Sequence, residues 1–170
     1  MYNEVMNVRA DFRPSNDNMK SLGQPSRRWN SVYAGTGTIN TSDRRKKQQI
    51  SSIPDEWLDA WEEVEYTRFK FNEAVEEKGN EARWHIGLIA QEIYDVFAKH
   101  NLDAFEIGIL CYDKWDEESV DVLDENGNPT GEKTTLTPAG DIWGIRADEC
   151  QFLEMALMRR ELKRLKDKNN

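Results

Sequence analysis

Asn40-Thr41-Ser42-Asp43-Arg44-Arg45-Lys46-Lys47 is where this chain changes character, and the reading of everything else follows from that change. Upstream, residues 1–41 are rich in Asn, Ser, Gly and Thr, with isolated apolar residues at Val8, Phe12, Leu22, Trp29, Val32, Tyr33 and Ile39. Pro14, Gly23, Pro25, Gly35 and Gly37 interrupt any helix, so the segment reads as turns and short strands. One copy of such a segment buries little surface, and it gains stability by stacking against copies of itself.

Downstream the texture is that of a folded domain. Pro54-Asp55-Glu56-Trp57-Leu58 signals a helix start, with Ser52 or Asp55 as the expected cap and acidic residues in the first turn. Trp57, Leu58, Trp61 and Val64 share one helix face. The alternation Tyr66-Thr67-Arg68-Phe69-Lys70-Phe71 predicts a half-buried strand. Glu77 to Glu81 predicts a turn, and Trp84 to Ile89 the returning strand of a hairpin. A helix follows, with Ala90, Ile93, Tyr94, Val96 and Phe97 inward. Strands are expected at Ile107–Cys111 and Ser119–Val122, with a turn at Asp124–Pro129 and a return at Thr134–Thr137. From Asp148 to Lys168 there is neither Gly nor Pro, and Cys150, Leu153, Leu157, Leu162 and Leu165 trace a near-heptad stripe that asks for a partner. The expected class is α+β: a short β-rich stub (1–41), a mixed α/β domain (42–146) and a long C-terminal oligomerising helix (147–170), assembled as a homotrimer.

Composition excludes several function classes. Six Trp and six Phe argue against disorder, and a net charge of −9 argues against a nucleic-acid partner. Cys111 and Cys150 form neither a disulfide framework nor a C-x-x-C metal pair, so no metal or cofactor is implied. Met1-Tyr2-Asn3-Glu4 does not open a signal peptide, and no apolar run reaches the roughly 20 residues of a membrane span.

The chemistry concentrates at Ser42. A Ser and a nearby Lys can act as nucleophile and base without His. The Lys must be neutral to take the Ser proton, well below its usual pKa of about 10.4, and neighbouring cations such as Arg44, Arg45 and Lys46 favour that. On an ideal helix, positions five apart point roughly 140° away from each other, so helical spacing favours Lys46 over Lys47. A Ser42–Lys47 pair needs Ser42 in extended or turn backbone and a chain that curls back.

Ser21 to Ala34 followed by Thr36 to Asp43 resembles the border between a fibre shaft and a peptidase S74 domain, the endosialidase-type intramolecular chaperone. Ser42, Asp43, Arg45 and Lys47 match that family's Ser-Asp-x-Arg-x-Lys start, and His85-Ile86-Gly87-Leu88-Ile89-Ala90-Gln91-Glu92-Ile93 is similar to its second signature. The resemblance implies a homotrimer that holds the preceding shaft of a phage tail fibre or tailspike in register. It then implies self-cleavage, with Ser42 as nucleophile, Lys47 as base and Thr41–Ser42 as the bond cut. Ser42 attack on the preceding carbonyl is an N-to-O acyl shift completed by water. Asp43 and Arg45 are candidate orienting residues, and His85, Gln91 and Glu92 candidate supports. His85 also suits a structural strand position, and Gln91 and Glu92 a helix start. The resemblance places the protein in the virion tail, made in the bacterial cytoplasm, with the chaperone part released on maturation. A non-cleaving trimerisation or receptor-binding tip is the alternative.

Overall fold

The computed structural model describes residues 9–37 and 39–169. Val8, Thr38, Asn170 and the Met1–Glu4 start therefore lie outside the described residues. The architecture is mixed α/β with a long C-terminal helix, built from three separate two-stranded sheets and four α-helices among the described residues.

Helix α1 (Asp55–Glu62) begins after Pro54, whose φ of −62° suits a helix entrance, and carries Asp55 and Glu56 at its positive end. Neither Ser52 nor Asp55 caps it. Pro54 occupies the cap position with no side-chain bond, and Asp55 is already inside the first turn. Strand β1 (Thr67–Phe69) pairs antiparallel with β2 (His85–Gly87), as the alternation predicts. Between them lies α2 (Asn72–Lys78), which the sequence does not predict and which overlaps only the first two residues of the turn expected at Glu77–Glu81. Its residues are all at least partly exposed, so it has no buried face to leave a period in the sequence.

Helix α3 (Ala90–Lys99) buries Ala90, Ile93 and Phe97, while Val96 lies at the edge of the core and Tyr94 is exposed. Strand β3 (Leu110–Trp115) starts later than predicted, because Gly108 at φ +89° turns the chain first. It pairs antiparallel with β6 (Gly140–Ile145), a strand absent from the sequence expectation. Inserted between them is the hairpin of β4 (Glu118–Leu123) and β5 (Pro129–Thr137). Its tip is fastened by Asp124, whose Oδ1 accepts from the backbone N–H of Asn126 and of Asn128, both at 2.8 Å. Nearly every residue of this hairpin is exposed, so it projects as an arm.

Helix α4 (Ala147–Lys168) lies on α1 with Cys150, Leu153 and Leu157 buried. Arg160 locks the pair. Its side chain is only 10% exposed and it donates to the Asp55 carbonyl at 3.1 Å and the Asp59 carboxylate at 2.7 Å. Trp61 Nε1 donates to Glu154 Oε2 at 2.9 Å across the same seam, and Trp61 meets Phe97 edge-on at 6.4 Å. Cys150 sits among these groups, and burial pushes its thiol up to about 11, the behaviour of an inert core thiol. Cys111 is half-buried opposite Gly144, where an added Cβ would meet its sulfur at 2.8 Å.

Among the described residues the core draws on residues 58 to 157 and takes nothing from the upstream segment. That segment differs from expectation. In the single chain, residues 9–37 and 39–41 form no strand, only an isolated bridge between Gln24 and Arg27. Tyr33 and Ile39 are 97% and 98% exposed, so the short strands have nothing to pack against in one copy.

Candidate active site

The geometry around Ser42 comes from three consecutive backbone choices. Asp43 is extended (φ −70°, ψ 128°) and caps a single 3-10 turn over Arg44–Lys46, its carboxylate accepting from the Arg45 backbone N–H at 2.8 Å. The turn closes through Lys46 N–H to Asp43 O (3.0 Å) and Lys47 N–H to Arg44 O (3.1 Å). Lys47 then returns to extended backbone (φ −125°, ψ 148°). The tight turn over Arg44–Lys46 folds the chain back on itself between two extended residues, Asp43 and Lys47. Lys47 Nζ consequently stands 2.8 Å from Ser42 Oγ, while Lys46 makes no hydrogen bond to that hydroxyl among the described residues. The ideal-helix argument for Lys46 does not apply, because this stretch is not α-helical.

Asp43 and Arg45 pair with each other. The guanidinium approaches both carboxylate oxygens, with Nη2 to Oδ2 at 2.6 Å. The Arg45 side chain, and after it the Arg45 backbone N–H, hold the Asp43 carboxyl below its ordinary value, and Asp43 in turn raises Arg45. The pair fixes the turn, and it also compensates one of the three cations that the sequence reading counted towards neutralising a Lys. Ser42 and Lys47 are both exposed in the single chain.

One further contact reaches this stretch from far away. The Asn40 amide donates to Asp148 Oδ2 at 3.0 Å, in the first turn of α4. Arg27 makes a similar long-range contact, an ion pair with Glu118 and a hydrogen bond to Thr137 Oγ1 at 3.1 Å, at the root of the β4–β5 arm. Sequence reasoning missed both, since partners 91 to 110 positions apart leave no local pattern.

The family model for peptidase S74, chaperone of endosialidase, matches residues 42–102, beginning on Ser42 itself. A solved structure described as a novel intramolecular chaperone is 48% identical, covers 72% of this chain and is itself covered to 99%, with a TM-score of 0.61. This chain belongs to the peptidase S74 family. It is an intramolecular chaperone domain of that family, and the match spans α1, the β1–β2 hairpin and α3. The carboxy-terminal domain of the bacteriophage T5 L-shaped tail fibre, solved with its intramolecular chaperone domain, is 30% identical over 92% of this chain and 38% of that one (TM-score 0.72). The tail spike protein of Escherichia virus K5 is 42% identical over 155 residues, which is 91% of this chain but 24% of that protein. The chain thus spans about a quarter of that relative.

The second signature of the chaperone sits apart from the first. His85 stacks on Phe69 (centroids 5.9 Å, 16° between planes) and meets Phe71 edge-on at 4.7 Å. Gln91 and Glu92 lie exposed in the first turn of α3. Among the described residues no side-chain hydrogen bond or ion pair joins any of the three to Ser42 or Lys47. His85 instead borders an open groove whose far wall is Trp29, Asn30 and Ser31 of the upstream segment.

Proposed function

We propose that this chaperone domain trimerises, sets the register of an upstream fibre or tailspike shaft, and then severs itself at Thr41–Ser42. The observation that carries the reading is the 2.8 Å contact of Lys47 Nζ with Ser42 Oγ. A charged Lys47 donates to the hydroxyl. Once the amine is neutral the same pair reverses, the hydroxyl donating to nitrogen, and Oγ becomes nucleophilic. Oγ adds to the Thr41 carbonyl carbon, and the proton held by Lys47 passes to the Ser42 backbone nitrogen as the C–N bond breaks. The product is an ester of Thr41 on Ser42 with a free Ser42 amine. Water then cleaves the ester, giving a Thr41 carboxylate and restoring the Ser42 hydroxyl. Asp43 and Arg45 hold the turn that aims Lys47.

Self-association is supported by the far half of α4, where Leu162 and Leu165 continue the stripe of Leu153 and Leu157 but are 55% and 56% exposed in one chain. The exposed apolar residues upstream point the same way. A trimeric clamp raises the local concentration of three shaft strands and fixes their starting register, where contacts are non-local and slips are easy. Cutting afterwards leaves the shaft kinetically trapped. The division into shaft (1–41), chaperone and protease (42–146) and oligomerising helix (147–170) is part of this proposal. It is a division of roles, since the first half of α4 packs on α1. The parent is a virion tail component made in the host cytoplasm, and residues 42 to 170 are the released part.

The exposure of both Ser42 and Lys47 favours one second reading, a trimerisation or receptor-binding tip that stays attached. Denaturing gels and intact mass separate the two. Wild type should yield a fragment beginning at Ser42, and Ser42→Ala should stay whole. A wild-type trimer that remains uncut rules out self-cleavage.

A further inference from the structure

The bond proposed for cleavage is flanked very unequally. Its downstream side is fixed by the Asp43 cap, the Asp43–Arg45 pair and the Lys47 contact. Upstream, Ile39 is almost fully exposed and Thr41 is exposed as well. Among the described residues, the single side-chain bond from positions 32–41 to the rest of the fold is Asn40 Nδ2 to Asp148 Oδ2, at 3.0 Å. Asn40 stands one residue before the Thr41 carbonyl. Asp148 belongs to the first turn of α4, a helix held to α1 by Leu153, Leu157 and the Arg160 clamp. An exposed approach is thereby tied to a helix packed on the core, next to the carbonyl that must meet Ser42 Oγ.

We propose that Asn40 and Asp148 are positioning residues for self-cleavage, holding the upstream side of Thr41–Ser42 so that the carbonyl stays within reach of Ser42 Oγ. The inference rests on the self-cleavage reading and adds α4 to it. The bond is charge-assisted, amide to carboxylate, and therefore stronger and more directional than an amide–amide pair. Loss of such an anchor loosens near-attack geometry without touching nucleophile or base, and small misplacements of reacting groups are costly in rate.

The test exchanges donor and acceptor in the 170-residue chain. Asn40→Asp sets two carboxylates against each other and should slow appearance of the Ser42-initiated fragment about tenfold, a modest share of what misplacement can cost. Asp148→Asn leaves an acceptor facing Asn40 and should stay within about threefold of wild type, since only the charge assistance is lost. The double variant Asn40→Asp/Asp148→Asn rebuilds the pair with its polarity reversed and should recover most of the rate. A merely structural role would instead lower the thermal midpoint or change the oligomeric size of Asn40→Asp, and both should be equal in all four proteins. Asn40→Asp cutting at the wild-type rate overturns the proposal, and so does a double variant as slow as the single one. Hydrogen exchange in the uncleavable Ser42→Ala background keeps the two ideas apart. Faster exchange at residues 39–41 in Asn40→Asp/Ser42→Ala than in Ser42→Ala supports the anchor whether or not wild type cuts. Equal exchange refutes the anchor. A wild-type chain that never cuts ends both the dyad and the role in cleavage assigned to this pair.

Discussion

Replacing Lys47 by Met removes the amine that stands 2.8 Å from Ser42 Oγ and leaves the surrounding turn intact, because that turn is held by Asp43, Arg45 and backbone bonds. Lys47 is exposed, so the substitution should change folding stability by no more than about 0.5 kcal/mol. A positioned general base contributes roughly 10²- to 10⁴-fold. At about 1.4 kcal/mol per decade the barrier should rise by roughly 3 to 5.5 kcal/mol. On a denaturing gel of refolded protein, a wild type that cuts within minutes should become a variant that stays whole for many hours. Lys46→Met, which makes no bond to Ser42, should cut within a few-fold of wild type. The decisive variant is Lys47→Arg. It keeps a cation and a donor at the same place but cannot be deprotonated. If Lys47 is a base, Arg should be as inactive as Met. If Lys47→Arg cuts at the wild-type rate, the side chain works as a fixed positive charge and the dyad mechanism is wrong. Cleavage that survives Lys47→Met but disappears in Lys46→Met would transfer the role to Lys46.

Acid should slow cleavage for one reason at neutral pH and another at low pH. An amine base must shed its proton, so the rate should climb as pH is raised from 5 towards 9, and a flat profile in rate measurements would exclude it. Asp43 is held below its ordinary 3.8, so its support of the turn is complete above that value and is lost only as pH falls through the lowered one. Asp43→Asn should therefore lower the rate at pH values where the wild-type carboxylate is ionised. Leu162→Asp with Leu165→Asp should abolish the proposed trimer in light scattering while circular dichroism stays native, since neither residue belongs to the buried core. Phe97→Ala should act in the opposite way, costing about 3 to 5 kcal/mol in denaturant midpoint analysis, because the ring is fully enclosed among Trp61 and its neighbours. A loss below about 1 kcal/mol would contradict that packing.

Elements with a buried face were legible, and those without one were not. Helix α3 and the first half of α4 could be read from Ile93, Phe97, Leu153 and Leu157 because each projects into one core at helical spacing. Helix α2 could not, since Asn72–Lys78 buries nothing and leaves no period. Strand β6 escaped for another reason. Its partner β3 lies across an inserted hairpin, and Gly140 and Gly144 break its alternation, each set against a bulky cross-strand neighbour, Trp115 and Cys111. At the site, the residue types and the two signatures were visible, but the choice between Lys46 and Lys47 depended on backbone path. Asp43 as cap and a 3-10 turn rather than an α-turn decide which amine reaches Ser42. The Asn40–Asp148 bond spans 108 positions and had no sequence trace at all.

The distribution of burial gives the proposed chaperone a definite order of events. Among the described residues every member of the hydrophobic core lies between Leu58 and Leu157, and the described upstream residues contribute none. The domain's buried core can therefore form before the upstream segment has any structure, whereas Phe12, Trp29, Val32, Tyr33 and Ile39 are exposed in one chain. A register-setting template has to form first and must not depend on what it templates, and this division of apolar surface meets both requirements. On the proposed reading it would also let the shaft be detached at Ser42 without unfolding the domain. The contacts crossing that point are a few exposed polar ones, at Arg27 and Asn40, each contributing at most a few kcal/mol.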